Sequence, residues 1–419
     1  MRRFGERTHC LDCAAASARR AVEEFGLTSV VERIGICEDT AAWRCDLFAS
    51  GAYPNSRERI AFGMGKGSSA SARVGAVFEA LEHYVSRSCS VPAETVKLAS
   101  SSRVAKEALA GDLLADIVGE APEGLMACAE YRAVAPAADY RGPIDVPLGL
   151  SSPSFVESAD ARQSLGDSFD YRPIARYCTS TGWAAGVTVE DALLHALNEQ
   201  IERHLVSEFI ADQFLSSKPQ PINSVDRESV PESLRGKWIQ SESVIGSRIH
   251  VIRCVGSVDY PTYIAYAPGV RLLDDRLRGA GSSISHEHAV ERALSEIAQS
   301  KFAIESGSIA RKGLEYSKKS VGEPGSKLRS ASEFDLDSRI ENVRSREFPD
   351  SIGYFIDTVE QVAAAASALL DGGLKSYYSV RFESQDLAIV NVFIPGVERF
   401  LLIRDGHLVV PSRKTISRL

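Results

Sequence analysis

Apolar residues Val74, Val77, Phe78, Leu81 and Val85 recur at helical spacing and predict a buried stripe, leaving Gly75, Glu79, Glu82 and Ser86 together on the adjoining face. The same pattern returns twice. Leu193, Leu194, Leu197 and Ile201 predict a helix whose other side carries Asp191, His195, Glu199 and Glu202. Val290, Ala293, Leu294 and Ile297 predict a third, with Arg292, Glu296 and Gln299 sharing a face. Elsewhere, CAAASARRAVEEFG at residues 13–26 reads as a helix stopped by Gly26, and LTSVVERIGI after it as a strand. VIGSRIHVIRCVG and PTYIAYAPGV are strand-like, VEQVAAAASALLDGG is a helix with a glycine stop, and LAIVNVFIPGVE is a buried strand. From the first acidic helix to about residue 178, short apolar runs among Ser, Gly and Pro (VPLGLSSPSF) predict strands and loops, and residues 303–350 are so poor in apolar positions that a mobile excursion is expected. The pattern predicts a mixed α/β (α+β) fold.

Each acidic helix follows a glycine/serine-rich segment: GMGKGSS, STGWAAG and RGAGSS, all read as loops able to approach phosphate. One carboxylate pair at i,i+3 spacing is ordinary solvated helix surface, whereas three, each behind such a segment, point to a composite nucleotide and metal site. Mg²⁺ takes oxygen ligands, so carboxylates from separate helices around phosphates suit it, with Arg203 and Arg292 at the rim offsetting phosphate charge. GMGKGSS is not a Walker A loop, because Lys66 is followed by Gly67 rather than Ser or Thr. No G-x-S-x-G elbow is present, which argues against a serine hydrolase. His286-x-His288 reads as surface histidines.

Composition narrows the class. The 419 residues are 44% hydrophobic and 25% charged, those of a soluble globular protein, with no run long enough to cross a bilayer and no secretory signal, so a cytoplasmic location is expected. A net charge of −8 argues against nucleic-acid binding. The eight cysteines (Cys10, Cys13, Cys37, Cys45, Cys89, Cys128, Cys178, Cys254) are scattered and read as reduced thiols, with His9-Cys10-x-x-Cys13 a candidate metal or redox motif lacking further ligands.

The acidic phrases GKG-x₆-V-G-A-x₂-E-x₂-E, S-x-G-x-A-x-G with N-E-x-x-E-R, and R-A-L-x-E-x-x-Q-S, closed by IPGVE at 394–398, resemble together the YcaO-domain family. Their order and spacing cover residues 65–398. The resemblance implies an ATP-binding fold unlike Walker NTPases, with ATP and Mg²⁺ as cofactors, in which the enzyme phosphorylates a peptide backbone amide and then expels phosphate. A Cys, Ser or Thr nucleophile from the substrate gives a thiazoline or oxazoline, and sulfide gives a thioamide. Carried over by position, Glu79, Glu82, Glu199 and Glu202 are the expected metal ligands, and Arg7, Lys66, Asp191, Arg203, Arg292, Glu296 and Gln299 further nucleotide contacts. Residues 61–419 would form the YcaO domain, with 1–60 an α/β segment of the same fold.

His83, His204 and Lys301 stand where the family usually has Arg, Asp and Arg, and Ala14, Ala184 and Val187 where polar nucleotide contacts are usual. The chain ends VVPSRKTISRL, with one proline where many azoline-forming members have several, and this basic end is expected to be solvated. The reading is an ATP-dependent cyclodehydratase acting on a ribosomally made precursor peptide. The alternatives are a thioamide-forming enzyme or a non-catalytic scaffold. Lacking the extra N-terminal length of a fused leader-binding domain, it is expected to work with a separate leader-binding partner, and with a flavin dehydrogenase, in an oligomer or hetero-complex.

Overall fold

The computed structural model describes residues 5–37, 40–49, 58–88, 95–134, 142–272, 275–308, 326–340, 343, 345–349 and 357–419. Helix α1 (Leu11–Glu24) ends at Gly26, whose φ of +63° suits glycine, and leads into the antiparallel strands β1 (Leu27–Cys37), β2 (Thr40–Ala49) and β3 (Arg59–Gly67). Helix α2 (Ser69–Ser88) then folds back on β3. Next come β4 (Lys97–Ser100), α3 (Ser101–Lys106), α4 (Leu113–Glu120), β5 (Leu125–Ala133), β6 (Ile144–Pro147) and three short helices, α5 (Leu148–Ser151), α6 (Pro153–Glu157) and α7 (Ala159–Ser164).

The long helix α8 (Val189–Leu215), capped by Thr188, follows the four-residue β7 (Trp183–Gly186). Beyond it are β8 (Asn223–Val225), α9 (Glu232–Ile245), β9 (His250–Arg253), β10 (Thr262–Leu272), β11 (Asp275–Ser282) and α10 (His286–Glu305). The C-terminal third holds α11 (Ser326–Glu333), α12 (Asp337–Ile340), β12 (Ser345–Arg346), α13 (Thr358–Asp371), β13 (Tyr377–Glu383), β14 (Ala388–Phe393) and α14 (Arg413–Ile416).

The strands make three sheets, ordered β1-β2-β3, β11-β10-β9-β8-β12 and β4-β5-β13-β14-β7, with β6 added on β5. All these pairs are antiparallel except β12 with β8. The fold is mixed α+β, and three apolar cores sit between sheets and helices, the largest around α8 and β14. Among the described residues no helix is long and apolar enough to cross a membrane.

Several expectations are corrected. The glycine segments GMGKG, WAAG and RGAGS are strands, not loops, and their glycines serve packing. A Cβ on Gly65 would lie 1.7 Å from the Ala72 carbonyl oxygen of α2, and one on Gly281 2.2 Å from that of Ala289 in α10. Gly63, Gly186 and Gly279 are as tightly overlaid by α2, α8 and α10. The repeated phrase is thus a strand lying hard against an acid-bearing helix. On α2 the stripe that is fully covered is Ala72, Ala76, Ala80, Leu81 and Val85, with the alanines where the helix lies hard on β3; Val74, Val77 and Phe78 of the expected stripe are only partly buried.

VPLGLSSPSF closes strand β6, as expected, but continues as helices α5 and α6 rather than as strands and loops alone, and α3 and α4 were also unexpected. Their start signals were there: Ser100 and Asp112 cap α3 and α4 through Arg103 N and Leu114 N. In the expected excursion at 303–350, residues 309–325 lie outside the described residues, but α11 and α12 are packed. Ala331, Phe334, Leu336 and Ile340 are buried, Phe334 lies near Phe209 and Phe214 of α8, and Asp335 and Asp337 both hold Arg276 at 2.6 Å. Few apolar residues suffice when each is placed. The C-terminus is likewise built in: Ser412 N donates to Glu398, Arg418 pairs with Glu208 at 3.0 Å, and Thr415 is buried.

Candidate active site

Three acid-bearing helices meet because each is clamped to its own glycine strand, and α10 also packs on β2 and β3. Lys66, projecting from β3, bonds Glu296 on α10, and Ala280 N of β11 donates to the other Glu296 oxygen at 3.3 Å. Glu199 accepts from Arg203 one turn along α8 and, at 3.0 Å, from Gly182 N just before β7. Arg292 of α10 lies beneath the group, 3.6 Å from the buried Glu6, rather than at the rim.

The electrostatics tie the carboxylates into one cleft. Burial pushes Glu79 up to about 7, with the charges of Glu199 and Glu296 adding to it against the pull of Lys66. Glu82 is raised well above the usual carboxylate range, first by burial and then by Glu199 and Glu79. Glu202 is raised to about 7 by burial and by Glu296. Glu296 is lowered instead, since Lys66 outweighs its burial. Five carboxylates from three helices therefore share a deep-set space with Lys66, Arg203 and Arg292, yet the side chains of Glu199 and Glu296 remain 25% and 32% exposed.

The donor set fits a divalent cation and a polyphosphate. Carboxylates whose charge burial opposes favour a cation between them, and Lys66, Arg203 and Arg292 are spaced around the same cleft. His195 lies on the α8 face between Asp191 and Glu199, and among the described residues neither its enclosed Nδ1 nor Nε of Arg292 has a hydrogen-bond partner. Burial, then Arg292 and Arg7, hold the His195 imidazole neutral. Among the described residues no three His, Cys, Asp or Glu side chains already close around one point. Mg²⁺ does not require that, because phosphate oxygens and water complete its shell.

Two expected contacts sit differently. The Asp191 carboxylate is engaged, accepting Thr8 N at 2.8 Å and Thr8 Oγ1 at 3.0 Å, while Arg7 donates to the Asp191 carbonyl at 2.9 Å. Asp191 thus anchors the N-terminal strap at the cleft's edge. Gln299 is half-buried a turn beyond Glu296 and makes no side-chain hydrogen bond among the described residues. Sequence reasoning missed Glu6, which accepts from Asn198 Nδ2 at 3.1 Å and meets His288 at 3.2 Å. Its only signal was a carboxylate next to Arg7. His288 is accordingly a buried-network residue, and His286 bonds the Tyr263 hydroxyl at 2.7 Å, so neither is a bare surface histidine.

Beside Arg203 a cleft opens between α8 and the end of β14, lined by apolar Tyr177, Phe393 and Leu401 and by polar Thr181, Gln200 and Arg399. His204 faces the floor behind it, accepting from Glu398 N at 2.9 Å and meeting Ser257 Oγ at 2.8 Å.

The sequence matches the family described as YcaO cyclodehydratase, ATP- and Mg²⁺-binding, over residues 64–398. The chain belongs to the YcaO family. That family binds ATP and Mg²⁺, and this YcaO protein has their cleft chemistry. Its fold is similar to YcaO from Methanopyrus kandleri bound with AMPPCP and Mg²⁺ (18% identity, TM-score 0.64, 97% of this chain and 96% of that one). It is also similar to a heterocyclase in complex with substrate and cofactor (14%, 0.59), of which it spans 54% while 95% of its own length is covered, and to the E. coli microcin synthetase McbBCD complex (11%, 0.54, 88% and 86%). No curated protein matches the sequence.

Proposed function

We propose that this YcaO protein is an ATP-dependent peptide cyclodehydratase that activates backbone amides of a ribosomally made precursor and forms azoline rings from its Cys, Ser or Thr residues. The observation that carries the reading is the convergence of Glu79, Glu82, Glu199, Glu202 and Glu296 with Lys66, Arg203 and Arg292 in one cleft that opens beside a partly apolar groove. Bound Mg²⁺ would neutralise phosphate charge and orient the γ-phosphoryl group. Glu79, Glu82, Glu199 and Glu202 would hold the metal. Lys66, Arg203 and Arg292 would face phosphate oxygens, and Glu296 fixes Lys66 for that task.

The groove beside Arg203 would seat the peptide with the target amide oxygen toward the phosphates. The substrate's own side chain attacks the amide carbon, so the enzyme's contribution is positioning and electrostatic. The likeness to the microcin synthetase McbBCD complex supports work alongside partner proteins; here a leader-binding partner would deliver the peptide, and a flavin dehydrogenase would act only where azole products are made. The test is mass analysis of cognate peptide after incubation with ATP, Mg²⁺ and partner. Loss of one water per modified residue is expected, and Glu199→Gln or Glu202→Gln should abolish it in folded protein. Replacement of a backbone oxygen by sulfur would make the enzyme a thioamide former instead; unchanged modification by either variant would sink the metal assignment.

A further inference from the structure

The sequence motif that the cleft does not absorb is His9-Cys10-x-x-Cys13, and its geometry is that of reacting thiols. Cys10 is the N-cap of the 14-residue helix α1, its sulfur accepting the Cys13 N–H at 3.4 Å, and the two sulfurs lie 2.8 Å apart. Both side chains are exposed. The remaining described cysteines are not placed for exchange: Cys45, Cys128, Cys178 and Cys254 are buried, and burial raises the first three to about 12, far from thiolate at neutral pH. Cys37 is half-buried and, among the described residues, in no disulfide.

The pair is asymmetric as an exchange site requires. Hydrogen bonds from the Cys13 thiol and backbone stabilise the Cys10 thiolate and lower its pKa, while the same contact raises that of Cys13. Cys10 is therefore the attacking sulfur and Cys13 the resolving one.

Position gives the pair a target. Two residues before Cys10, Thr8 donates both its N–H and its hydroxyl to Asp191, and Arg7 reaches the Asp191 carbonyl, so the capped end of α1 and the cleft are joined by one short strap. Thr8 Oγ1 also meets Thr358 Oγ1 at 3.3 Å. We propose that Cys10 and Cys13 are a thiol–disulfide exchange site, and that their two-electron oxidation loosens the strap that holds Asp191.

The chemistry balances with a small-molecule disulfide as oxidant. The Cys10 thiolate attacks one sulfur of RSSR, forming Cys10–S–S–R and expelling RS⁻; the Cys13 thiolate then attacks Cys10 Sγ and expels the second RS⁻. Two thiol protons end on the two RSH products, and two electrons pass from the protein to RSSR. In the disulfide, the Cys10 sulfur is tied to Cys13 Sγ instead of being free to cap the Cys13 N–H, so the first turn of α1 and the strap before it lose a fixed end. None of this depends on the reaction assigned to the cleft.

The test uses the full chain in glutathione buffers of graded oxidised-to-reduced ratio. Mass spectrometry of the peptide spanning residues 10–13 is expected to show loss of two hydrogens in wild type. Cys13→Ser is expected to show a mixed disulfide on Cys10 instead. Amide exchange at Thr8 and Cys13 is expected to quicken at least tenfold on oxidation of wild type and to be unmoved by the same treatment in Cys10→Ser, which cannot close the Cys10–Cys13 disulfide. As a second readout, the affinity for a non-hydrolysable ATP analogue with Mg²⁺ is expected to fall at least threefold on oxidation, and by linkage the analogue should then shift the thiol–disulfide equilibrium equally. Thiols that stay reduced in excess oxidised glutathione would overturn the proposal, as would a disulfide that leaves the Thr8 amide unchanged. Absence of analogue binding in both redox states would instead count against the nucleotide reading of the cleft.

Discussion

A buried carboxylate that its neighbours push toward neutrality is a stability liability until something cationic arrives, and Glu202 is such a residue. Its pKa of about 7 means that the ligand-free fold resists its charge, chiefly through burial and then through Glu296. Glutamine copies the protonated form. Glu202→Gln should therefore raise the urea midpoint of ligand-free protein at pH 8, by the order of 1 kcal/mol, while eliminating metal-dependent activity. Glu199→Gln should behave differently, because Glu199 holds Arg203 and Gly182 N and its charge is already matched. It should lose activity with no gain in stability. A fall in the midpoint for Glu202→Gln would mean that the carboxylate is matched by a partner and that the cleft has no need of a cation.

At the scale of elements, the glycines decide the site. The i,i+3 acids were readable from spacing alone, and so were α1, α2, α8, α10, α13 and β14, because long periodic stretches carry their own signal. The glycine strands were misread because Gly next to Ser looks like a turn; that β3 and β11 lie against Ala72, Ala76 and Ala289, Ala293 is a tertiary fact. Glu6 was invisible for the same reason, since its partners Asn198 and His288 are distant in sequence. Gly65→Ala, whose Cβ would strike backbone, should cost about 3 kcal/mol or more, or prevent folding, and move Lys66 away from Glu296. Gly75→Ala is the counter-test. Its nearest neighbour would be the Gly65 Cα at an ordinary 3.8 Å, so the better helix propensity should stabilise by about 0.5–1 kcal/mol. Chemical denaturation of both variants checks the pair, and similar losses in the two would remove close packing as the reason for the glycines.

Over the whole molecule, the N-terminal strap is joined to α8 and α10 by a charge chain running Asn198, Glu6, His288, Glu291 and Lys237, so pH should act on the assembly of these parts. Burial alone would lower the His288 pKa, but Glu6 and Glu291 outweigh it and raise it from 6.5 to about 9. A raised histidine binds its proton more tightly folded than unfolded. Its contribution is complete below pH 6.5 and disappears as pH rises through 9. With the side chain still about a third exposed, solvent screening leaves about 2 kcal/mol of the amount such a shift would otherwise represent. The acids give the opposite limb: Glu6 is lowered, and Glu291 falls to about 2 because His288 and Lys237 overcome its burial, so their share is present above 4.5 and fades as pH drops toward 2. Urea midpoints of the ligand-free chain should accordingly fall between pH 6.5 and 9.5, and His288→Gln should remove most of that fall while lowering stability at pH 6. Hydrogen exchange would locate the loss at residues 5–8 and the start of α10. An identical alkaline decline in wild type and His288→Gln would show that the strap is held by Thr8 and Asp191 alone, with no support from the charge chain beneath it.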